Sequence, residues 1–209
     1  MKEFLLFMLF SLLECYSMYF LMFKVFKIDI FHKEIIFSSA LMSGVSYVLR
    51  VDYGLAVWDI AFQITLMFLL VWMLFRIHIF YAIIMTITTY HAYVTIQIGL
   101  YYILGFNIPN HISIYVLQVI SAATACLIGW IVAKKRLGFD FIPDTPNYRL
   151  TLKTKDKILF LLTIPALFFL TTTIYVTENL QKWMVLLPVV HGFILIGYLF
   201  ISYRKDRSE

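Results

Sequence analysis

The chain reads as a succession of long apolar runs broken by short polar stretches. Runs of about 20 residues cross a roughly 30 Å hydrocarbon core at about 1.5 Å per residue. Seven candidates cover Phe4–Phe23, Ile35–Leu49, Leu55–Phe75, Ile77–Leu104, Ser113–Ala133, Ile158–Thr177 and Trp183–Tyr203. The second holds only 15 residues, so Lys33, Glu34 and Arg50 must snorkel outwards for it to reach both interfaces. The fourth holds 28 and must tilt, or project Tyr101 and Tyr102 beyond the core. Because the runs are continuous rather than alternating, they predict helices and not a barrel. The expected fold is all-α: a polytopic transmembrane helix bundle forming a single membrane domain over residues 1–209.

Basic residues orient that bundle. With seven spans, Lys24, Lys27, Lys33, Arg76, Lys134, Lys135, Arg136, Arg149, Lys153, Lys155, Lys157, Arg204, Lys205 and Arg207 share one side, and only Lys2, Arg50 and Lys182 share the other. Fourteen of 17 basic residues on one side predict an outside N-terminus and a cytoplasmic C-terminus. Losing or merging a span would spoil the asymmetry.

Composition agrees: 62% of residues are hydrophobic, 14% are charged, and the mean hydropathy is +0.88. A soluble chain needs roughly 25% charged residues to cover its surface. The net charge of +5 needs no nucleic-acid partner, because basic loops beside a bilayer act first as topology determinants and contacts to anionic lipid. The first span begins almost at Met1 with no small-residue cleavage site, as an uncleaved span would. Cys15 and Cys126 both fall inside spans, so no disulfide framework is expected.

The longest connection, the cytoplasmic basic loop 134–157, carries Gly138, Pro143, Pro146 and Asn147 and is too short for a catalytic domain. It can dock a membrane-protein partner or lie on headgroups. Thr154 and Asp156 suit the start of the sixth helix. Small residues at four-residue spacing, Ala40 with Gly44 and Ser121 with Ala125 and Gly129, predict close helix packing.

Ionisable groups inside a span cost about 2.5–3.5 kcal/mol at its centre and usually face the bundle interior or a wet cavity. Glu14, Asp59, His91 and His191 meet that description. Glu14, near the middle of its span, is either a proton or cation site or counter-ion for a ligand, or a protonated acid hydrogen-bonded to a neighbouring helix, since burial disfavours the charged form. Asp59 lies near the outer end of its span and has Arg50 as its nearest expected partner, which implies a partly wet pair. In the fourth span Thr86, Tyr90, Tyr93, Gln97 and Tyr101 fall on one face, with Thr88, His91, Thr95 and Tyr102 beside them. So wide a polar sector suits a cavity for a peptide or small amphipathic ligand, or hydrogen bonds between helices. His191 sits between Pro188 and Gly192, where a kink freeing the Met184 carbonyl would open a polar niche; Pro165 offers the sixth span a similar bend. The candidate ligand-binding set is Glu14, Asp59, Tyr90, His91, Tyr93, Gln97 and His191.

Enzyme motifs are missing. No His, Cys or carboxylate spacing suits a metal, and no Gly-x-Ser-x-Gly, Walker or dinucleotide loop occurs. A cysteine-histidine membrane peptidase of the peptide-pheromone maturation type would want a cysteine seven residues after its histidine, but position 98 is isoleucine. No catalytic residue, metal or cofactor is expected.

The layout of closely spaced apolar helices, short outer loops and the basic exit Tyr203-Arg204-Lys205-Asp206-Arg207 resembles the membrane-embedded sensor half of bacterial peptide-receptor, quorum-sensing histidine kinases. The likeness spans the whole chain but not a kinase domain. It implies a stand-alone sensor or accessory subunit of the bacterial cell membrane that binds a peptide or lipid ligand or a membrane partner. The competing expectation is a small transporter or ion-conducting subunit with an intramembrane Glu14–His91 relay.

Overall fold

In the computed structural model, residues 2–104, 111–142, 154–179 and 187–206 are described. Among them are seven α-helices: α1 (Lys2–Val25), α2 (His32–Tyr47), α3 (Ala56–Met73), α4 (Ile79–Leu104), α5 (His111–Lys134), α6 (Thr154–Asn179) and α7 (Leu187–Asp206). The described residues contain no strand. Four helical stretches are long and apolar enough to cross a membrane: Glu3–Val25, His32–Asp52, Ile79–Leu104 and Ile114–Lys134. Trp58–Met73 and Lys157–Leu170 are shorter apolar helices. Outward-facing Leu9, Phe62, Trp130, Leu161, Phe193 and Ile196 are exposed, the surface expected of a bundle solvated by lipid rather than water.

The second element differs from its expected 15 residues. After Tyr47 the helix loosens into a π-turn over Val48–Asp52, so the helical path runs unbroken from His32 to Asp52. Thus 21 residues replace the short run, and Arg50 becomes part of the helix rather than a snorkelling flank. Wide turns of this kind re-aim side chains. Here the turn holds Arg50, the cation that meets Asp59.

α4 is the centre of the bundle. From Tyr81 to Tyr93 nearly every residue is buried on every face, because α1, α3, α5, α6 and α7 all pack against it. Around it, α5 lies along α1 through its small residues: Ser121 and Ala125 are buried, and a methyl group added at Gly129 would come within 3.2 Å of the Phe20 ring and 3.4 Å of the Leu21 Cα.

The C-terminal ends of α1, α3 and α5 share one device. Lys27, Arg76 and Arg136 adopt left-handed backbone conformations with φ of 51°, 55° and 53°. After α1 and α5 the next amides, Ile28 and Leu137, turn back to the Phe23 and Val132 carbonyls at 2.9 and 3.0 Å, closing Schellman-type caps. A basic residue here, where glycine is usual, accepts the αL cost and sets its charge against the negative helix end.

Candidate functional site

A cavity of about 250 Å³ with a mixed polar and apolar wall opens between α1, the α2–π-turn segment, α3, α4 and α5. Five of the seven expected site residues line it: Glu14, Asp59, Tyr90, Tyr93 and Gln97. The periodicity of α4 accounts for the last three, whose steps of three and four residues keep them on one face. Ser46, Arg50, Gln63 and Gln118 complete the polar wall, while Met18, Ile60, Val94, Ile114 and Leu117 supply an apolar one.

Two carboxylates occupy opposite situations in this cavity. The Asp59 side chain is wholly buried and saturated: Arg50 Nε pairs with Oδ2, Ser46 Oγ donates to the same oxygen at 2.9 Å, and Gln63 Nε2 donates to Oδ1 at 3.3 Å. The pairing with Arg50 is as expected, but only Arg50, 43% exposed, is wet. Burial of the carboxylate follows from its three donors, since a buried charge is tolerated only when paired and hydrogen-bonded. Glu14, by contrast, meets only neutral groups: Gln118 Nε2 donates to Oε2 at 2.9 Å, Gln97 Nε2 approaches Oε1 at 3.5 Å, and the Tyr93 hydroxyl lies beside it. No cation lies within ion-pairing distance of it among the described residues.

Hydrogen-bond capacity is left over at the wall. The side-chain oxygens of Gln63 and Gln118 are buried without a partner, because Gln118 turns its NH₂ group to Glu14, and Gln63 donates to the Met42 carbonyl at 2.9 Å and to Asp59. Leaving such atoms dry and unpaired costs about 1–3 kcal/mol each, so the cavity has the inventory of a site that takes a polar guest.

The other two expected residues lie elsewhere. His91 is on the opposite flank of α4, and its ring stands 4.9 Å from that of His191 on α7. The Nδ1 atoms are 2.8 Å apart, and His91 Nε2 is 3.0 Å from the carbonyl of Ala166 on α6. A carbonyl can only accept, so His91 Nε2 carries the proton and donates; His91 Nδ1 is then the acceptor, and His191 Nδ1–H donates to it. Both rings are wholly buried, and this chain of two hydrogen bonds ties α4 to α6 and α7. Ala166 follows Pro165, the proline expected to bend the sixth helix. The Met184 carbonyl of the expected α7 kink lies outside the described residues, and Pro188 falls in the first turn of α7 as described, where no amide donor is required.

A third cluster closes the other end of the bundle. The stretch just after α5 crosses beneath it: the Phe139 amide donates to the Val25 carbonyl at 2.7 Å, and the Asp140 amide donates to Asp206 Oδ1 at 2.7 Å. Gly138 makes the crossing possible, since a Cβ there would stand 2.8 Å from the Val25 carbonyl oxygen. Lys205 is buried, its ammonium 4.0 Å from the centre of the Phe141 ring and 4.7 Å from that of Tyr81. Cation–π contacts hold the charge where water does not reach. This covers residues 135–142 of the loop expected over 134–157; residues 143–153 lie outside the described residues, and Thr154 is the first described residue of α6.

Gln63, Gln118 and Ser46 escaped sequence reasoning, which weighed ionisable groups alone. The available signal was the price in hydration of a carboxamide inside an apolar run, since an amide buried there requires a partner. Among the described residues, no group of three or more His, Cys, Asp or Glu could hold a metal, and Cys15 lines the cavity while His91 does not. Compared with known protein families, with curated proteins and with solved structures, the chain matches none.

Proposed function

We propose that the chain is a multi-pass protein of the bacterial cell membrane with seven spans, its N-terminus outside and its C-terminus cytoplasmic. In this reading it is a non-enzymatic sensor or accessory subunit that binds a small ligand in the cavity around Glu14. Occupancy is passed to a partner through the cytoplasmic loop 134–157. The observation that carries the reading is the cavity itself: a pocket inside an apolar bundle whose wall keeps an acidic side chain with no ion-pair partner and buried, unpartnered amide oxygens. Polar groups of that kind are expensive within a membrane, and they usually mark a ligand or ion path. The packing of residues 137–142 against α1, α4 and α7 supports a route for relay.

The relay reading, with Glu14 and His91 passing ions, draws no support from the side chains. They occupy opposite flanks of α4, and His91 is committed to Ala166 and His191.

Affinity purification from native membranes in mild detergent, with mass spectrometry of proteins and extracted small molecules, tests the proposal. A small molecule held by the wild type and lost on Gln97→Trp, which fills the cavity, is the expected result. A chain that carries neither a small molecule nor a stoichiometric membrane partner overturns it.

A further inference from the structure

The ligand class can be read from the charge and hydrogen-bond inventory of the wall. Of the ionisable groups facing the cavity, Asp59 and Arg50 neutralise one another, which leaves Glu14 as the acid without a countercharge. Both Glu14 oxygens face amide donors, the arrangement of a carboxylate accepting on each oxygen rather than of an acid needing an acceptor for its own proton. The unpartnered polar atoms of the wall are the side-chain oxygens of Gln63 and Gln118, which only accept, and the Tyr93 hydroxyl, which accepts as well as donates. Gln63 is 8% exposed and Tyr93, another wall residue, 2%, so these groups are well shielded from bulk water. An anion or a carbonyl-rich guest would meet a carboxylate and acceptor oxygens. A cationic donor would meet complementary partners at Glu14 and at these amide oxygens.

We propose that the cavity binds a protonated amine, its ammonium group neutralised by the Glu14 carboxylate and its N–H bonds taken by Glu14 and by the free amide oxygens of Gln118 and Gln63. The inference rests on the reading of this cavity as a ligand site and names the ligand's chemistry. An ammonium has three donors in one tetrahedral head, which suits a wall with a surplus of acceptors. The apolar half of the wall, Met18, Ile60, Val94, Ile114 and Leu117, takes the body of the guest. The volume of about 250 Å³ matches the room of roughly eight waters, enough for an amine of about ten heavy atoms. Binding of the cation also supplies the countercharge that Glu14 otherwise lacks, so guest and carboxylate stabilise one another in a low dielectric.

The experiment uses the full chain in detergent micelles and three probes of one shape: 2-phenylethylamine, 2-phenylethanol and phenylacetate. Calorimetric titration gives the affinity of each. The expected result is that the amine binds at least tenfold more tightly than the alcohol, that phenylacetate is weakest, and that Glu14→Gln removes the amine's advantage. Gln118→Met, which keeps the carboxylate but removes an acceptor, weakens the amine severalfold and serves if Glu14→Gln does not fold. Equal binding of amine and alcohol, unchanged by Glu14→Gln, overturns the amine assignment and leaves the cavity a ligand site. Binding of none of the three also overturns the assignment, and the small-molecule content of the native purification then judges the site itself.

Discussion

Arg50→Met is the most informative single change, because it separates the two partners of an asymmetric ion pair. Methionine keeps the apolar stem and removes the guanidinium. Asp59 then remains wholly buried with only Ser46 Oγ at 2.9 Å and Gln63 Nε2 at 3.3 Å as donors. Stranding one member of a fully buried pair costs about 3–5 kcal/mol. Arg50 is 43% exposed, so water already screens part of the interaction, and the discounted cost is about 2–3 kcal/mol. The reverse change, Asp59→Asn, leaves a guanidinium that can rehydrate and an amide that still accepts from Ser46, and costs about 1–2 kcal/mol. In the double variant nothing charged is stranded, so its loss falls below the sum of the two by about 1–2 kcal/mol. For a chain of this size these losses lower the unfolding midpoint by roughly 2–4 °C per kcal/mol. Unfolding of the four proteins in mixed micelles, followed by circular dichroism, measures all the terms. Losses that add to within about 0.5 kcal/mol would refute the reasoning, since they would mean that Arg50 and Asp59 do not interact across the cavity mouth.

The histidine pair should behave similarly. His191→Phe leaves the buried His91 Nδ1 without its donor and costs about 1–3 kcal/mol, whereas changing both to phenylalanine is milder than the sum of the single changes; additive midpoint shifts in the same assay would contradict the assigned tautomers. Gly138→Ala would place a methyl group 2.8 Å from the Val25 carbonyl oxygen and break the Phe139 hydrogen bond, a loss of about 1–3 kcal/mol confined to one end of the bundle. Hydrogen exchange should quicken in residues 137–142 and not in α3, and Gly44→Ala, inside α2 where a Cβ meets nothing within 4 Å, is the clash-free control and should be neutral to stabilising by up to about 1 kcal/mol.

The helical class and the approximate place of each element were legible because apolar runs of this length have few other solutions in a bilayer. The end of the second element was not: Arg50 and Asp52 lie beyond the apolar run that ends at Leu49, and the helical path through them carries Arg50 to its tertiary contact with Asp59. Helix ends at Lys27, Arg76 and Arg136 were equally hidden, since none carries the glycine that marks a left-handed cap. Within the site, residues on one helix face could be grouped, hence Tyr90, Tyr93 and Gln97. Partners far apart in sequence could not. Glu14 meets Gln118 across 104 residues, and His91 meets His191 across 100. Periodicity within an element carries no information about which element lies opposite.

If the cavity and the end of the bundle closed by residues 137–142 communicate, α4 is the physical connection. One flank presents Tyr90, Tyr93 and Gln97 to the cavity, the other holds α6 and α7 through His91, and Tyr81 stands beside Phe141 and Lys205. Nine residues of helix separate Tyr90 from Tyr81, about 13–14 Å of rigid rod. Because Tyr81 to Tyr93 is buried on nearly all sides, a guest that moves Tyr90 and Tyr93 has little freedom to be absorbed locally and shifts the helix as a body. That shift would be felt where the Tyr81 and Phe141 rings, 6.1 Å apart, meet the buried ammonium of Lys205. Thermodynamic coupling of this kind is reciprocal: whatever factor the guest applies to closure of the 137–142 segment, opening that segment must apply to the guest's affinity. Gly138→Ala, which acts at the Val25 end of α1 about half the length of that helix away from Glu14, should therefore change binding of the amine probe by severalfold, within the roughly 5–150-fold range of typical couplings. An affinity unchanged by Gly138→Ala, in a protein whose 137–142 segment is shown by exchange to have opened, would mean that the two ends act independently and that the relay through α4 does not operate.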